Sequence, residues 1–137
     1  MICLDTNVLI AHKRAKKADK DKSLLYRLSL QGYRFAVSSI TVYELLRGDN
    51  KDEDRYWQSM FANMDILPFD FACAEQAAII YKDLKQQGQL IEAEDLFIGA
   101  TALHHRLNLA TGNLRHFERI AGLAFVSVKK YKLSKNI

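Results

Sequence analysis

The chain has little of what marks a secreted, membrane-bound or modular protein. It carries two cysteines in 137 residues. Cys3 and Cys73 stand far apart and outside any Cys/His pattern of zinc-ligand spacing, which argues against a disulfide framework or a structural zinc. Both are expected to be small buried hydrophobes. No run approaches the ~20 apolar residues that a bilayer-spanning helix needs. The apolar start Met1–Ile10 carries Asp5 and lacks a basic leader and cleavage site, so a cytosolic protein without a membrane partner is expected. Pro68, the one proline, and six glycines fall mostly at the ends of expected elements, and there is no repeat, low-complexity tract or linker. No glycine-rich loop follows the first apolar run, which speaks against a nucleotide cradle.

What is present is a chain with 49% hydrophobic residues, enough for one domain spanning residues 1–137 and its core, and too short for two domains. The formal charge of +4 and a pI near 9.1 favour a polyanionic partner, with nucleic acid the leading candidate. Six cations lie between Lys13 and Lys22, and Lys129, Lys130, Lys132 and Lys135 close the chain. Taken alone, such runs read equally as a solvated loop and, over 129–137, a basic and partly disordered tail.

Short apolar runs alternate with segments of helical period. Ile2–Leu4, Phe35–Ser38, Ile66–Leu67, Leu109–Thr111 and Phe125–Val128 read as strands of a parallel sheet buried on both faces. Between them, helical spacing appears around Leu24–Leu28, Trp57–Met64, Phe71–Leu84 and Asp95–Arg106, the last with small residues Gly99, Ala100 and Ala102 that permit close packing. The alternation predicts a three-layer α/β/α sandwich with a short, mostly parallel central sheet and right-handed crossovers. In such folds ligands bind beyond the carboxyl ends of the strands. That rule selects Asp5, Thr6 and Asn7 after the first strand, Ser38, Ser39 and Thr41 after the second, and Thr111 and Asn113 after a late one.

Asp5 and Asp95 each precede or begin a helical run, and each is explicable alone as a cap or a favourable charge at a helix N-terminus. Glu44 is harder to explain in that way. It stands among Ile40, Val42, Tyr43, Leu45 and Leu46 and is expected to be largely buried, which requires a partner or a cation. If the helix starting near Thr41 packs beside the one starting near Thr6, Glu44 projects next to Asp5. Three carboxylates at one sheet edge call for a hard cation, and a donor set of oxygens selects Mg²⁺ or Mn²⁺. The chemistry of such a site is phosphodiester hydrolysis.

The segments MICLDTNVLI, VSSITVYELLRG, GQLIEAEDLFIGATAL and LATGNLRHF, in this order and covering most of the chain, resemble the four motifs of PIN domains of the VapC type. The resemblance implies a metal-dependent endoribonuclease acting on structured RNA, transfer or ribosomal, and the toxin of a toxin–antitoxin pair. It implies Asp5, Glu44 and Asp95 as metal-binding catalytic acids, with Asn7, Ser38, Thr41 and Thr111 orienting them. Family members commonly carry a further acid after the late strand. Here the candidates are Asn113, which is favoured as the fourth catalytic residue, and His116. That departure puts a second tightly held metal in doubt.

Around this negative pocket, Lys13–Lys22, Arg47, Arg115 and Arg119 are expected to draw phosphates to the rim, and single-stranded RNA loops suit a shallow edge site. The resemblance further implies a small antitoxin whose tail covers the site, and a homodimer. Glu94 is expected to face solvent, and His104–His105 and His12 to serve packing and surface. Tyr56–Met64 is rich in large apolar side chains, expected in the core, with a groove for a partner helix as the sharper reading.

Other readings fare less well. A phosphatase using Asp5 as a covalent nucleophile wants a second aspartate where Asn7 stands. A catalytically weak PIN interaction module has no use for three mutually repelling carboxylates. A housekeeping RNA-processing PIN nuclease is the nearest alternative to the toxin.

Overall fold

A computed structural model describes residues 1–126 of the chain. Four strands, β1 (Ile2–Leu4), β2 (Phe35–Ser38), β3 (Asp65–Leu67) and β4 (Asn108–Ala110), form one sheet in the order β3-β2-β1-β4. Every pairing is parallel, with Cys3 opposite Ala36 on one side and Leu109 on the other. Helices α1 (Thr6–Arg14), α2 (Leu24–Leu30), α3 (Ser39–Leu46), α4 (Lys51–Phe61), α5 (Phe71–Gln86), α6 (Ala93–His104) and α7 (Leu114–Phe117) fill the connections, with a 3₁₀ turn at Lys17–Lys22.

The pleat of β1 divides the core in two. Ile2 and Leu4 point to one face, where they pack with Val8, Leu9, Leu25, Leu28, Trp57 and Phe61. Cys3 points to the other, among Ile80, Leu84, Leu96, Ile98 and Phe117. The period of two along a strand separates the residues in this way. Layers on both faces of one sheet make the α/β/α sandwich. Each fully buried leucine contributes roughly 2 kcal/mol through the apolar area withdrawn from water. Trp57 and Phe61 are buried, so the apolar stretch of α4 is used in the core.

The helix starts follow side-chain chemistry. Ser23 Oγ accepts from the Tyr26 N–H, Asn50 Oδ1 from the N–H groups of Asp52 and Glu53, and Asp70 Oδ1 from the Cys73 N–H. Part of the basic run has a structural use as well. Lys20 Nζ donates to the carbonyls of His12 and Lys13 at 2.7 Å each, satisfying the open end of α1. Gly32, at φ 79°, makes the left-handed turn that leads from α2 into β2.

Several boundaries differ from expectation. α4 begins six residues before Trp57, because Asn50 and the acids Asp52, Glu53 and Asp54 make a favourable first turn, and Met64 lies beyond its end. β4 spans Asn108–Ala110 and leaves Thr111 just outside, its side chain turned to the site. Phe125 forms one isolated parallel bridge with Leu109 in place of a strand. The rest of the expected 125–128 strand and the basic segment 129–137 lie outside the described residues.

Candidate metal centre

The sheet order sets the position of the site. From β1 the chain adds β2 and then β3 on one side, and returns to place β4 on the other. The connections leaving β1 and β4 therefore diverge, opening a crevice beyond their carboxyl ends. Asp5 stands there, its N–H donating to the Ala110 carbonyl at 2.9 Å and extending the β1–β4 ladder by one residue.

Asp5 occupies the N-cap position of α1, but its side chain makes no capping bond. Instead Oδ2 accepts from the Thr111 hydroxyl at 2.8 Å, and the Thr111 oxygen in turn accepts from the Asn113 N–H at 2.8 Å. The carboxylate is 1% exposed. Burial pushes its pKa up to about 6; the Thr111 bond opposes the rise, and the nearby charges of Asp95 and Glu44 add to it.

Glu44 reaches the same crevice from α3. It is half-buried, less than expected, because the turn that carries it faces the open crevice. The Thr6 hydroxyl donates to its Oε1 at 2.7 Å and lies 3.0 Å from the Thr41 hydroxyl. Thr41 thus acts on the site through Thr6. Asp95, in the first turn of α6, has its pKa raised by burial and by the charges of Glu92 and Glu44, against a lowering contact with His116.

Asn113 and His116 close the far wall. Asn113 Nδ2 lies 2.8 Å from His116 Nδ1, and that nitrogen is 3.7 Å from Asp95 Oδ2. The roles follow the tautomer: a bare Nδ1 accepts from the Asn113 amide and leaves Oδ1 free, whereas a protonated Nδ1 turns its N–H towards Asp95. Together these groups, with Asn7, Arg47 and Glu92, line a polar pocket of about 300 Å³.

The donor set fits a hard divalent cation. Four carboxylates, those of Asp5, Glu44, Glu92 and Asp95, line one cavity with the Asn113 side chain, and Asp5 is buried without an ion-pair partner among the described residues. Arg47 lines the rim but lies over the Tyr43 ring, 5.6 Å from its centroid. A buried carboxylate in that position is stabilised by a cation, and an all-oxygen set favours Mg²⁺ or Mn²⁺.

Three expected participants stand elsewhere. Ser38 Oγ caps α3 by accepting from the Ile40 N–H at 3.1 Å and lies 3.5 Å from Thr101 Oγ1, so it supports the helix carrying Glu44 and touches no site carboxylate. Arg115 is exposed and outside the pocket lining, and Arg119 donates to the carbonyls of Gln89 and Leu90. Conversely Thr6, Glu92 and His116 belong to the site. The spacing of His116 three residues beyond Asn113 was the one sequence signal for it.

A larger groove of about 530 Å³ between α5 and α6 is lined by Phe69, Ala77, Tyr81 and Phe97. It is apolar, with Lys82 its one charged lining residue, and offers no hydrolytic chemistry.

A PIN domain match spans residues 2–123. The chain is 31% identical over 125 residues to the tRNA(fMet)-specific endonuclease VapC of Shigella flexneri, covering 88% of this chain and 92% of that protein. It is 31% identical over 120 residues to ribonuclease VapC1 of Methanocaldococcus jannaschii, covering 87% and 80%. Among solved structures, FitAcB from Neisseria gonorrhoeae superposes with a TM-score of 0.74 at 30% identity, over 92% of this chain and 97% of that one. VapBC-1 from nontypeable Haemophilus influenzae superposes with a TM-score of 0.78 at 25% identity, over 93% and 98%.

Proposed function

The chain belongs to the PIN-domain family, on the branch of the VapC ribonucleases, and from that premise we propose that it is a divalent-metal-dependent endoribonuclease and the toxin of a toxin–antitoxin pair. The observation that carries the reading is Asp5, a carboxylate buried at the end of β1 beside Glu44 and Asp95 with no ion-pair partner among the described residues.

Asp5, Glu44 and Asp95 would hold Mg²⁺ or Mn²⁺, with Asn113 Oδ1 as a neutral oxygen donor. Such a cation supplies Lewis-acid polarisation of a phosphoryl oxygen and activation of a water for in-line attack. The protein's own groups provide the orientation. Thr111 fixes Asp5, Thr6 fixes Glu44, and His116 braces Asp95 and Asn113 from the rim. Asn7 at the mouth offers an amide to the substrate backbone, and Arg47 a guanidinium to a phosphate flanking the scissile one.

A second groove of about 290 Å³ shares Ile10, Glu44 and Arg47 with the pocket and continues past Lys13 and Arg14. Cations leading to a negative centre suit a phosphodiester chain whose remaining phosphates stay on the basic path. The site is open at a sheet edge, which suits an unpaired loop of a structured RNA better than a duplex. A transfer RNA is the first substrate to try, since the Shigella relative is named for cleaving one. An antitoxin that lies across this pocket and a homodimeric toxin complete the reading, supported by relatives solved as VapBC complexes. No helix among the described residues is long and apolar enough to cross a membrane.

The test is cleavage of total cellular RNA by the purified chain with Mg²⁺, Mn²⁺ or EDTA, wild type beside Asp5→Asn. Discrete fragments that need metal and vanish in the variant are expected. Equal cleavage by both proteins, or cleavage that survives EDTA, would reject the assignment. A digest confined to precursor RNAs would favour a processing enzyme over a toxin.

A further inference from the structure

At the end of α6 remote from Asp95, the fold assembles a second group of metal-ligating side chains. Asp95 and His104 are nine residues apart on this helix, or roughly 13 Å along its axis. His104 is the last residue of α6 and His105 its C-cap, and both meet Cys73 in the first turn of α5. One ligand atom from each of the three lies within 4.8 Å of the others. No spacing along the chain signals this group, because 31 residues separate Cys73 from His104 and no zinc-type pattern relates them.

We propose that Cys73, His104 and His105 form a metal site for zinc, a borderline-soft divalent cation, distinct from the carboxylate pocket. The donor set differs in kind from the oxygen ligands around Asp5, since a thiolate with two imidazoles selects zinc over magnesium. His105 Nε2 is buried and has no hydrogen-bond partner among the described residues, although buried polar atoms are normally paired. A bound cation would satisfy it. The two rings stand edge-to-face with centroids 5.0 Å apart, so their nitrogens can approach one point without stacking.

Cys73 is fully buried and its thiol donates to the Pro68 carbonyl at 3.6 Å. Burial and the neighbouring Asp70 carboxylate push the thiol pKa up, so the thiolate forms only as the metal binds. On binding, the thiol proton passes to solvent, the contact with Pro68 is given up, and a sulfur–zinc bond replaces it. Tetrahedral coordination needs ligand atoms roughly 3.5 Å apart, so closure takes about an ångström of side-chain movement, which exposed His104 can supply. Asp70, whose carboxylate lies close enough to His104 to be influenced by it, offers an oxygen for the fourth position. The site would fasten the start of α5 to the end of the helix that carries Asp95.

The full-length protein, stripped by chelator, is titrated with Co²⁺ as a spectroscopic stand-in for Zn²⁺. A thiolate-to-cobalt charge-transfer band saturating at one equivalent and displaced by Zn²⁺ is expected. The band should vanish in Cys73→Ser, weaken in affinity by about tenfold or more in His104→Gln, and persist in Asp5→Asn. No such band in wild type, or unchanged binding in the first two variants, overturns the proposal. Circular dichroism checks the buried Cys73→Ser variant; if it fails to fold, the exposed His104→Gln variant decides.

Discussion

The Thr111 hydroxyl donates to Asp5 Oδ2 at 2.8 Å across 106 residues of sequence. The bond joins the ends of β1 and β4 at the crevice, and the Thr111 oxygen also receives the Asn113 N–H. One side chain therefore aims the central carboxylate and fixes the start of the loop that carries Asn113 and His116.

Replacing Thr111 with valine keeps the shape and removes both roles. Asp5 loses the contact that opposes its raised pKa, and ligand orientation relaxes. Metal affinity should fall about 10- to 100-fold, seen as a rightward shift of the Mg²⁺ or Mn²⁺ dependence of RNA cleavage. Recovery of the rate at high metal would show an effect on affinity; an unshifted titration would mean that Thr111 does not orient Asp5.

Asp5 also predicts how the metal-free protein responds to pH. Its folded pKa of about 6 lies above the ordinary value of 3.8. Below the ordinary value both folded and unfolded chains hold the proton, and its contribution is most favourable. As pH rises towards 6 the unfolded chain gives up the proton first, so stability falls, by roughly 3 kcal/mol in all. Above 6 the loss is complete. Asp5→Asn should abolish this component and be more stable than wild type at pH 7 without metal. Divalent cation at a hundred times its Kd should return about 2.7 kcal/mol to wild type. Urea melts between pH 4 and 7.5, with and without metal, test both signs.

The acids of the site were the most legible part of the chain. Asp5 follows a short apolar segment and Asp95 begins a helical run, and they fall where the motif resemblance places ligands. Thr6 was not legible as the partner of Glu44, because its role depends on how α1 packs on α3, 38 residues away. Ser38 misled for a local reason. A serine at a strand end reads as a site residue, but its hydroxyl accepts from the Ile40 N–H in the first turn of α3. The layers of the sandwich followed from hydrophobic period, whereas β4 fell one residue early, because burial of Thr111 resembles a continuing strand.

Asn113 stands where the resemblance to PIN domains implies a further acid. Asn113→Asp would add a further carboxylate to those of Asp5, Glu44, Glu92 and Asp95. Without metal, the added repulsion should lower stability. With metal, the same charge should tighten binding, and half-maximal activity should come at several-fold lower Mg²⁺. A variant less active at every metal concentration would show that the amide's bond to His116 matters more than its charge.

Gly99, in the middle of α6, tests how closely that helix must sit to hold Asp95 in place. A Cβ there would stand 2.4 Å from Ile120 Cδ1 and 3.5 Å from Phe117 Cδ1. Both neighbours are buried, Phe117 fully and Ile120 at 2% exposed. Gly99→Ala gains up to about 1 kcal/mol of helix propensity. Overpacking of a filled core costs about 1–3 kcal/mol. The crowded atom is the end of a side chain that is itself buried, which puts the cost at about 2 kcal/mol, and the net should be a loss of about 1 kcal/mol. The displaced residues belong to and follow α7, whose N-cap is Asn113, so the wall opposite Asp95 should shift with them. A lower melting temperature together with weaker metal dependence is the expected pair of results. A stabilised variant with wild-type cleavage would mean that Ile120 finds another rotamer, and that the separation of α6 and α7 does not set the geometry of the site.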